Sequence, residues 1–529
     1  MTRRAERNFN TLSWSVVVFV GLVVITLVLA LQLFPRLSSG QRVLDGARPA
    51  FTDERVAGDV AGVKMVSNIV DLADPLVRDP RTAPEVTGLI AYVSQQTGLP
   101  QAAVVSALQS KFPHSLALLQ AIPLQSVSAE LPQLIAFVAS HSTLTPVALL
   151  AALNQNFPHL AQAINALPRM TSGWNNVPGT AGVTRFDGSP VTTVPQVRDY
   201  LAGDVVGAVQ SQRANFQTLD RTSPGLVVIP AVLLAIGIIA TLYGLVMLLA
   251  LRRVGVLDTG SRERRLTLGA WAVVGVVGII VLALVPIWSL VGRLDAGQSV
   301  LDNLRPAFTD ARVAGDAAGV SMVSTIVDVA DPIVLESGGA ASEVPKLVSF
   351  VATATGLSAA QVLSAIQQNF PHVYGLLNAI PLESVTAEQS GLTTFLTTTL
   401  KITPDQLNAA LQKNFPQIAQ SLAVLPAVTA GWANVPGTQN LTRFDGTPVR
   451  SVTQVRNYFA LDVVPALQTT RADFQRLDGL PPPVTWVPPL LLIAGGLVLY
   501  YSLVMMYIWR PRPRGSPAVD RSANRAPAA

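Results

Sequence analysis

The sequence has no cysteine and few charged residues. Among its 529 residues, 13% are charged and 50% are hydrophobic. The absence of cysteine excludes disulfides, thiolate metal ligands and a cysteine nucleophile. The low charge and high apolar fraction favour a membrane protein over a soluble multidomain enzyme.

Signatures of catalysis are also scarce. The chain has four histidines, and it shows no Ser/His/Asp pattern, no glycine-rich phosphate loop and no metalloprotease helix. We therefore predict no catalytic residue, no metal site and no cofactor, and we expect the protein not to be an enzyme.

Long apolar stretches, by contrast, are prominent. Four runs contain no Lys, Arg, Asp, Glu or His: Leu12–Leu33, Leu226–Leu251, Leu268–Val291 and Trp486–Trp509. Each is long enough to cross a hydrocarbon core of ~30 Å as a helix. Transporters and pumps usually carry ionisable groups inside the bilayer, so these spans are more typical of anchors. We interpret the first run as an uncleaved signal-anchor.

Basic residues predict the orientation. Residues 1–11, 252–267 and 510–529 together hold 13 of the 37 Lys and Arg residues in only 47 positions. The positive-inside rule then makes both termini and the middle loop cytoplasmic, and residues 36–225 and 292–485 extracytoplasmic. The pI of about 9.6 thus reflects topology, and we expect the bilayer, not nucleic acid, as a partner. The composition of the tail 510–529 predicts disorder.

The sequence pattern indicates an internal duplication. Arg48-Pro49-Ala50-Phe51-Thr52-Asp53 returns as Arg305-Pro306-Ala307-Phe308-Thr309-Asp310, and Gly173-Trp174 returns as Gly431-Trp432. We call the chain before the 252–267 loop the first half and the chain after it the second half. A shorter repeat of 45 residues is nested in each half. Its four copies are residues 85–123, 130–168, 343–381 and 388–426.

The local patterns predict helices with one exception in each half. Apolar residues at i, i+3 and i+4 indicate helix, turn and helix within each 45-residue unit, and Phe-Pro ends the second helix. Asp187-Gly188 and Asp445-Gly446 lie between β-favouring residues, which predicts a hairpin at each position. The expected fold is an all-α integral membrane protein with four transmembrane helices and two duplicated extracytoplasmic helical domains, each with a short β-hairpin.

Charged residues that recur in both halves are the candidate interaction or stalk-face residues. The charged residues that follow the first and third apolar runs predict a salt-bridged helical stalk, with a cation or ligand site as the alternative. Those at the turn predict a hairpin ion pair, with a recognition loop as the alternative. The candidates are Arg48, Asp53, Arg55, Asp59, Asp71, Asp74, Arg185, Asp187, Arg305, Asp310, Arg312, Asp316, Asp328, Asp331, Arg443 and Asp445. We expect replacement of Asp59 or Asp71 by alanine to lower stability.

Three of the four histidines occupy one position of the 45-residue unit. His114, His159 and His372 follow Phe-Pro, and the fourth copy has Gln417 there. Since glutamine would not replace a metal ligand, polar capping of the next helix is the favoured role.

The order of span, helical external domain and span resembles the plan of bacterial chemoreceptor sensor modules, although no cytoplasmic signalling domain follows here. The Asn-Phe-Pro repeat resembles helical membrane proteins of Ala- and Val-rich bacterial proteomes. The sequence thus favours a non-catalytic cell-envelope protein whose two external domains bind a protein or envelope partner or act as a scaffold. The alternative is an extracytoplasmic ligand-binding sensor or an accessory subunit of a transporter.

Overall fold

A computed structural model describes residues 3–77, 82–220, 225–254, 260–335, 337, 339–478 and 484–510. Residues 511–529, which hold nearly all of the tail predicted to be disordered, lie outside the described residues. In the described part of the chain the fold is all-helical. The helices are α1 Arg3–Ala30, α2 Leu33–Ala47, α3 Asp53–Val77, α4 Thr82–Thr97, α5 Gln101–Lys111, α6 Pro113–Ala121, α7 Leu124–Ser140, α8 Pro146–Asn156, α9 Pro158–Gly173, α10 Val194–Asp199, α11 Gly207–Asp220, α12 Val228–Val254, α13 Gly260–Ile287, α14 Leu290–Leu304, α15 Asp310–Val334, α16 Ala340–Thr355, α17 Ala359–Asn369, α18 Pro371–Ala379, α19 Leu382–Leu400, α20 Pro404–Asn414, α21 Pro416–Trp432, α22 Val452–Tyr458, α23 Val464–Asp478 and α24 Val487–Ile508.

Irregular helical turns interrupt this series. Short 3₁₀ helices cover Arg48–Phe51 and Val484–Trp486. A π-helical segment, Tyr200–Val206, joins α10 to α11, and a second, Phe459–Val463, joins α22 to α23. Sequence patterns had not indicated these π-helical segments.

The hairpin prediction is wrong at both positions. The described residues contain no strand there, only single bridges between Thr184 and Pro190 and between Thr442 and Pro448. Proline cannot donate to a ladder. The backbone bonds across the turn, from the Arg185 amide to Ser189 and from the Val191 amide to Val183, do not extend into a ladder, and the Phe186 amide donates to the side chain of Asp204.

Five helices are long and apolar enough to cross a membrane: Thr11–Ala30, Val228–Ala250, Thr267–Ile287, Asp310–Val334 and Val487–Ile508. Counting each of two bent helix pairs as one span would raise the number to seven. The first and third are shorter than the sequence predicted, because α1 ends at Ala30 and α13 ends at Ile287. Gln32 and Ser289 follow with φ of 49° and 47°, and a left-handed residue terminates a helix.

The structure divides into two compact units. Unit 1 comprises the described residues within Met1–Asp45, Ala214–Asp302 and Asp473–Ala529, and unit 2 those within Gly46–Arg213 and Asn303–Ala472. Each unit contains residues of both halves.

In unit 1, α1 packs against α12 and α13 packs against α24. Small residues allow this close approach: a Cβ at Gly278 would lie 2.9 Å from the backbone nitrogen of Leu499. Trp14 of the first half stacks on Trp271 of the second, with ring centroids 4.5 Å apart. The halves therefore meet in this unit through a buried aromatic pair.

In unit 2, the main helices of one half pack on those of the other. Helix α3 packs against α21, α15 against α9, and α6 against α18. One continuous apolar core results, with buried residues such as Val70 and Met170 from the first half and Val327 and Val428 from the second. Helix starts follow local rules: Pro113 occupies the first turn of α6, and Ser358 forms a capping box with Gln361 at α17.

Candidate functional site

Four glutamates connect the two halves of the chain within unit 2. One glutamate lies at the start of each 45-residue segment of the sequence. Glu388 accepts hydrogen bonds from the backbone amides of His114 and Ser115, at 3.2 and 2.8 Å. These amides belong to the first turn of α6, where no backbone partner exists within the helix. A carboxylate is also favoured there by the helix dipole.

The same cap recurs in the other three 45-residue segments. Glu343 accepts from His159 and Leu160, Glu130 from His372 and Val373, and Glu85 from Gln417 and Ile418. In every case the glutamate and the capped helix come from different halves. The prediction that the histidine side chain caps the next helix is therefore wrong, because glutamate caps the backbone amide. The rings of His114 and His372 instead contact the carbonyl oxygens of Asn378 and Gln120 in the opposite half through Nδ1, at 2.8 and 2.9 Å.

Aromatic pairs accompany the caps. The phenylalanine of each Phe-Pro packs edge-on or tilted against a ring seven residues after the capping glutamate. The pairs are Phe112–Phe395, Phe157–Phe350, Phe370–Phe137 and Phe415–Tyr92, with centroids 5.6 to 5.9 Å apart. Sequence reasoning missed these contacts. The spacing of Glu and an aromatic residue at i and i+7, one helical face, is the signal that could have found them.

Arg55 and Arg312 each form hydrogen bonds with a turn loop of the opposite half. The two turn loops are residues 184–190 and 442–448. Arg55 donates to the carbonyl oxygens of Thr442 and Arg443, at 3.1 and 3.0 Å, and its guanidinium lies 4.9 Å from the centre of the Phe444 ring. Arg312 makes the equivalent contacts with Thr184, Arg185 and Phe186. These two candidate residues therefore act across the halves.

The turn loops are fixed on their inner side as well. Arg185 pairs with Asp204 at 3.0 Å, and Arg443 pairs with Asp462 at 2.9 Å. Asp187 accepts from the amide and hydroxyl of Ser189, and these hydrogen bonds hold its pKa below the ordinary value. Asp445 does the same with Thr447. Structural contacts thus involve the candidate residues Arg185, Asp187, Arg443 and Asp445.

Within each half, the first long helix of unit 2 is paired with the returning helix. Asp71 pairs with Arg198, which also contacts Asp199 at 2.8 Å, and Asp328 pairs with Arg456. Asp74 and Asp331 accept hydrogen bonds from the indoles of Trp174 and Trp432. Asp53 and Asp310 lie 3.4 Å from Arg213 and Arg471. Arg48 and Arg305, which precede these helices, are exposed.

Asp59 and Asp316 differ from these, because they are buried and carry oxygen atoms that accept no hydrogen bond. Their exposed fractions are 7% and 3%. Oδ1 of Asp59 and both carboxylate oxygens of Asp316 form no hydrogen bond. Burial raises the pKa of each carboxyl to about 7, and this is opposed by the Tyr458 hydroxyl at Asp59 and the Tyr200 hydroxyl at Asp316. Each tyrosine belongs to the opposite half.

A small cavity of about 50 Å³ lies beside Asp316, between α3, α15 and the two π-helical segments. Its walls are mostly valine, including Val63 and Val66 and their second-half equivalents Val320 and Val323. Pockets for small-molecule ligands are usually ~300 Å³ or larger. In this conformation the cavity is therefore too small for such a ligand.

Among the described residues, no group of three or more His, Cys, Asp or Glu side chains is arranged to hold a metal ion. The apolar helices are compatible with a multi-pass membrane protein. No family model, curated protein or solved structure matches the chain.

Proposed function

We propose that the protein is a non-catalytic, four-span membrane protein of the bacterial cell envelope whose two external helical modules act as one braced scaffold for a protein or envelope partner. The observation that carries the proposal is the reciprocal bracing of unit 2. Four glutamate caps and the hydrogen bonds that Arg55 and Arg312 donate to loop carbonyls all connect the two halves.

Four spans, not five, fit the chemistry of the helices. Asp310–Val334 has a mean hydropathy of 1.4, against 2.0 to 2.7 for the other four, and half of it is buried within the protein. It carries Asp310, Asp316, Asp328 and Asp331 and belongs to unit 2, whereas the other four belong to unit 1. Charged groups are costly in a bilayer, so we assign this helix to the external module.

The repeat and the basic residues support the rest of the arrangement. Corresponding helices such as α3 and α15 both have 25 residues, which supports an internal duplication. The basic segments 1–11, 252–267 and 510–529 support cytoplasmic termini, with residues 36–225 and 292–485 outside.

The use of charge favours a scaffold over an enzyme. Most of the recurring Arg and Asp residues form pairs or caps inside unit 2. Side chains committed to fixed internal contacts are poorly placed to bind and transform a substrate. The alternative is a ligand-binding sensor or accessory subunit of a transporter. The cavity beside Asp316, with a volume of about 50 Å³, is too small to support it, and the larger pocket of about 460 Å³ between α4 and α5 is open to solvent.

Site-specific photocrosslinking in native membranes tests the proposal. A photoreactive residue would replace Val147, in the first turn of α8, or Leu99, between α4 and α5; they are 77% and 43% exposed in unit 2. Phe19, 66% exposed in the first span, is the matched control. We expect a protein adduct of constant mass at a unit 2 position and none at Phe19.

Two results would overturn the scaffold. One is the lack of any protein adduct at both unit 2 positions, together with a small molecule that raises the unfolding temperature of the full-length protein; this favours the sensor. The other is turnover of a substrate by the purified protein, which favours an enzyme.

A further inference from the structure

The two buried aspartates stand at equivalent places on α3 and α15. Buried polar groups in folded proteins nearly always have hydrogen-bond partners, and exceptions call for an explanation. Here the exception occurs twice, at Asp59 and Asp316. A defect of packing would not be expected at both equivalent positions.

The groups facing each carboxyl come from both halves. Asp59 faces Arg55 on its own helix and Tyr458 of the opposite half, with Asp462 beyond that tyrosine. Asp316 faces Arg312 and, from the opposite half, Tyr200, with Asp204 beyond it. The two arginines are engaged by loop carbonyls. Neither carboxylate therefore has a dedicated cationic partner.

The surroundings can respond to a change of charge. Tyr200 opens one π-helical segment, and Tyr458 directly precedes the other. π-Helical turns are rare and often lie at functional positions. The cavity that Asp316 lines also touches both segments, through Val205 and Val206 on one side and Phe459 and Val463 on the other. Its volume of about 50 Å³ is enough for a water molecule.

We propose that Asp59 and Asp316 form a proton-sensitive lock between the two halves of unit 2. When both carboxyls are protonated, the halves remain closely packed. When the carboxyls release their protons to water, the charge of Asp316 recruits water into the cavity that it lines. The π-helical segments and their contacts with the opposite half then loosen. The lock is a regulatory device beyond the scaffold function and does not depend on the identity of the partner.

The direction of the pH dependence follows from the linkage between proton binding and packing. Burial raises the pKa of both carboxyls from 3.8 to about 7 in the packed state, so the packed state binds more protons than the loosened state between these values. The packed state is thus most stable below a pH of about 3.8, and its stability relative to the loosened state falls as the pH rises towards 7. The loosening equilibrium should increase by up to about tenfold per pH unit for each carboxyl in this window.

Hydrogen exchange of the full-length protein in lipid nanodiscs tests the lock. Protection of Tyr200–Val206 and Phe459–Val463 would be measured from pH 5 to 8 and corrected for the intrinsic pH dependence of exchange. We expect protection to fall as pH rises to about 7 and then to level off. The double variant Asp59→Asn/Asp316→Asn should show no such fall.

The matched control is Asp53→Asn/Asp310→Asn, which removes two exposed carboxyls from the same two helices and should behave as the wild type. Corrected protection in the wild type that is constant across the pH range would overturn the lock, whether or not any variant folds. So would a fall of equal size in Asp59→Asn/Asp316→Asn.

Discussion

At the scale of single residues, two aspartates on the same helix have opposite roles. Asp71 pairs with Arg198, whereas Asp59 is buried without a partner for its Oδ1 atom. The sequence suggested one salt-bridged face for both, because the spacing of charges indicates which residues share a helical face but not how deeply each is buried. The structure therefore separates their expected effects on stability.

We predict opposite effects for substitutions at these two positions. Asp71→Ala should lower stability at pH 8, by ~1 kcal/mol because the pair is partly exposed. Asp59→Asn should raise stability at pH 8, since it removes a buried charge, and should change little at pH 5, where the native carboxyl is protonated. Thermal unfolding of the full-length protein in detergent at both pH values measures the difference.

Asp53→Asn is the control for this comparison, because Asp53 is an exposed residue of the same helix. A loss of stability in Asp59→Asn at pH 8, equal to that of Asp71→Ala, would show that Asp59 is a paired structural residue. The expectation from sequence that replacing Asp59 lowers stability would then hold.

At the scale of helices, the sequence predicted the helical fold but not which helices contact each other. The Phe-Pro positions do end helices, as Phe112 shows at the end of α5. The glutamate caps could not be predicted, because periodicity identifies a helical face without identifying the helix that it meets. The hairpins were predicted wrongly because Asp-Gly specifies a tight turn, whereas the neighbouring amides are taken by Asp204 and Asp462.

Removal of a capping charge should destabilise the capped helix in the opposite half. Glu388→Gln keeps the shape but weakens the bonds to the amides of His114 and Ser115. We expect a loss of ~0.5–2 kcal/mol, as for other helix caps. Hydrogen exchange should increase in the first turn of α6, more than in the first turn of α9, which Glu343 caps.

Glu383→Gln on the same helix is the control, since Glu383 is exposed. If Glu388→Gln and Glu383→Gln changed the exchange of α6 equally, the cap would have no specific role in joining the halves.

At the scale of the whole molecule, the proposed topology can be tested directly because the chain lacks cysteine. Single cysteines would be introduced as Gln109→Cys and Gln367→Cys, both exposed in unit 2, and as Ser261→Cys in the loop 252–267. A membrane-impermeant maleimide added to intact cells should label the first two and not the third.

Labelling of Ser261→Cys after permeabilisation confirms that its thiol is reactive. Labelling of Gln109→Cys without Gln367→Cys would place the two loops on different sides of the membrane. That result would contradict the four-span arrangement, which requires the two modules on one side.

The central claim is that each half of the protein braces the other, and a disulfide between the halves tests it most directly. A Cβ at Gly46 would lie 2.8 Å from Cγ2 of Thr470, so cysteines at these positions fall within the ~4.5 Å that a disulfide needs between Cβ atoms. A protease site inserted at residues 255–259 would separate the halves after oxidation in the membrane. We predict that Gly46→Cys/Thr470→Cys keeps the two fragments together on a non-reducing gel and that either single cysteine does not. Fragments of the double variant that separate without reductant would contradict the account.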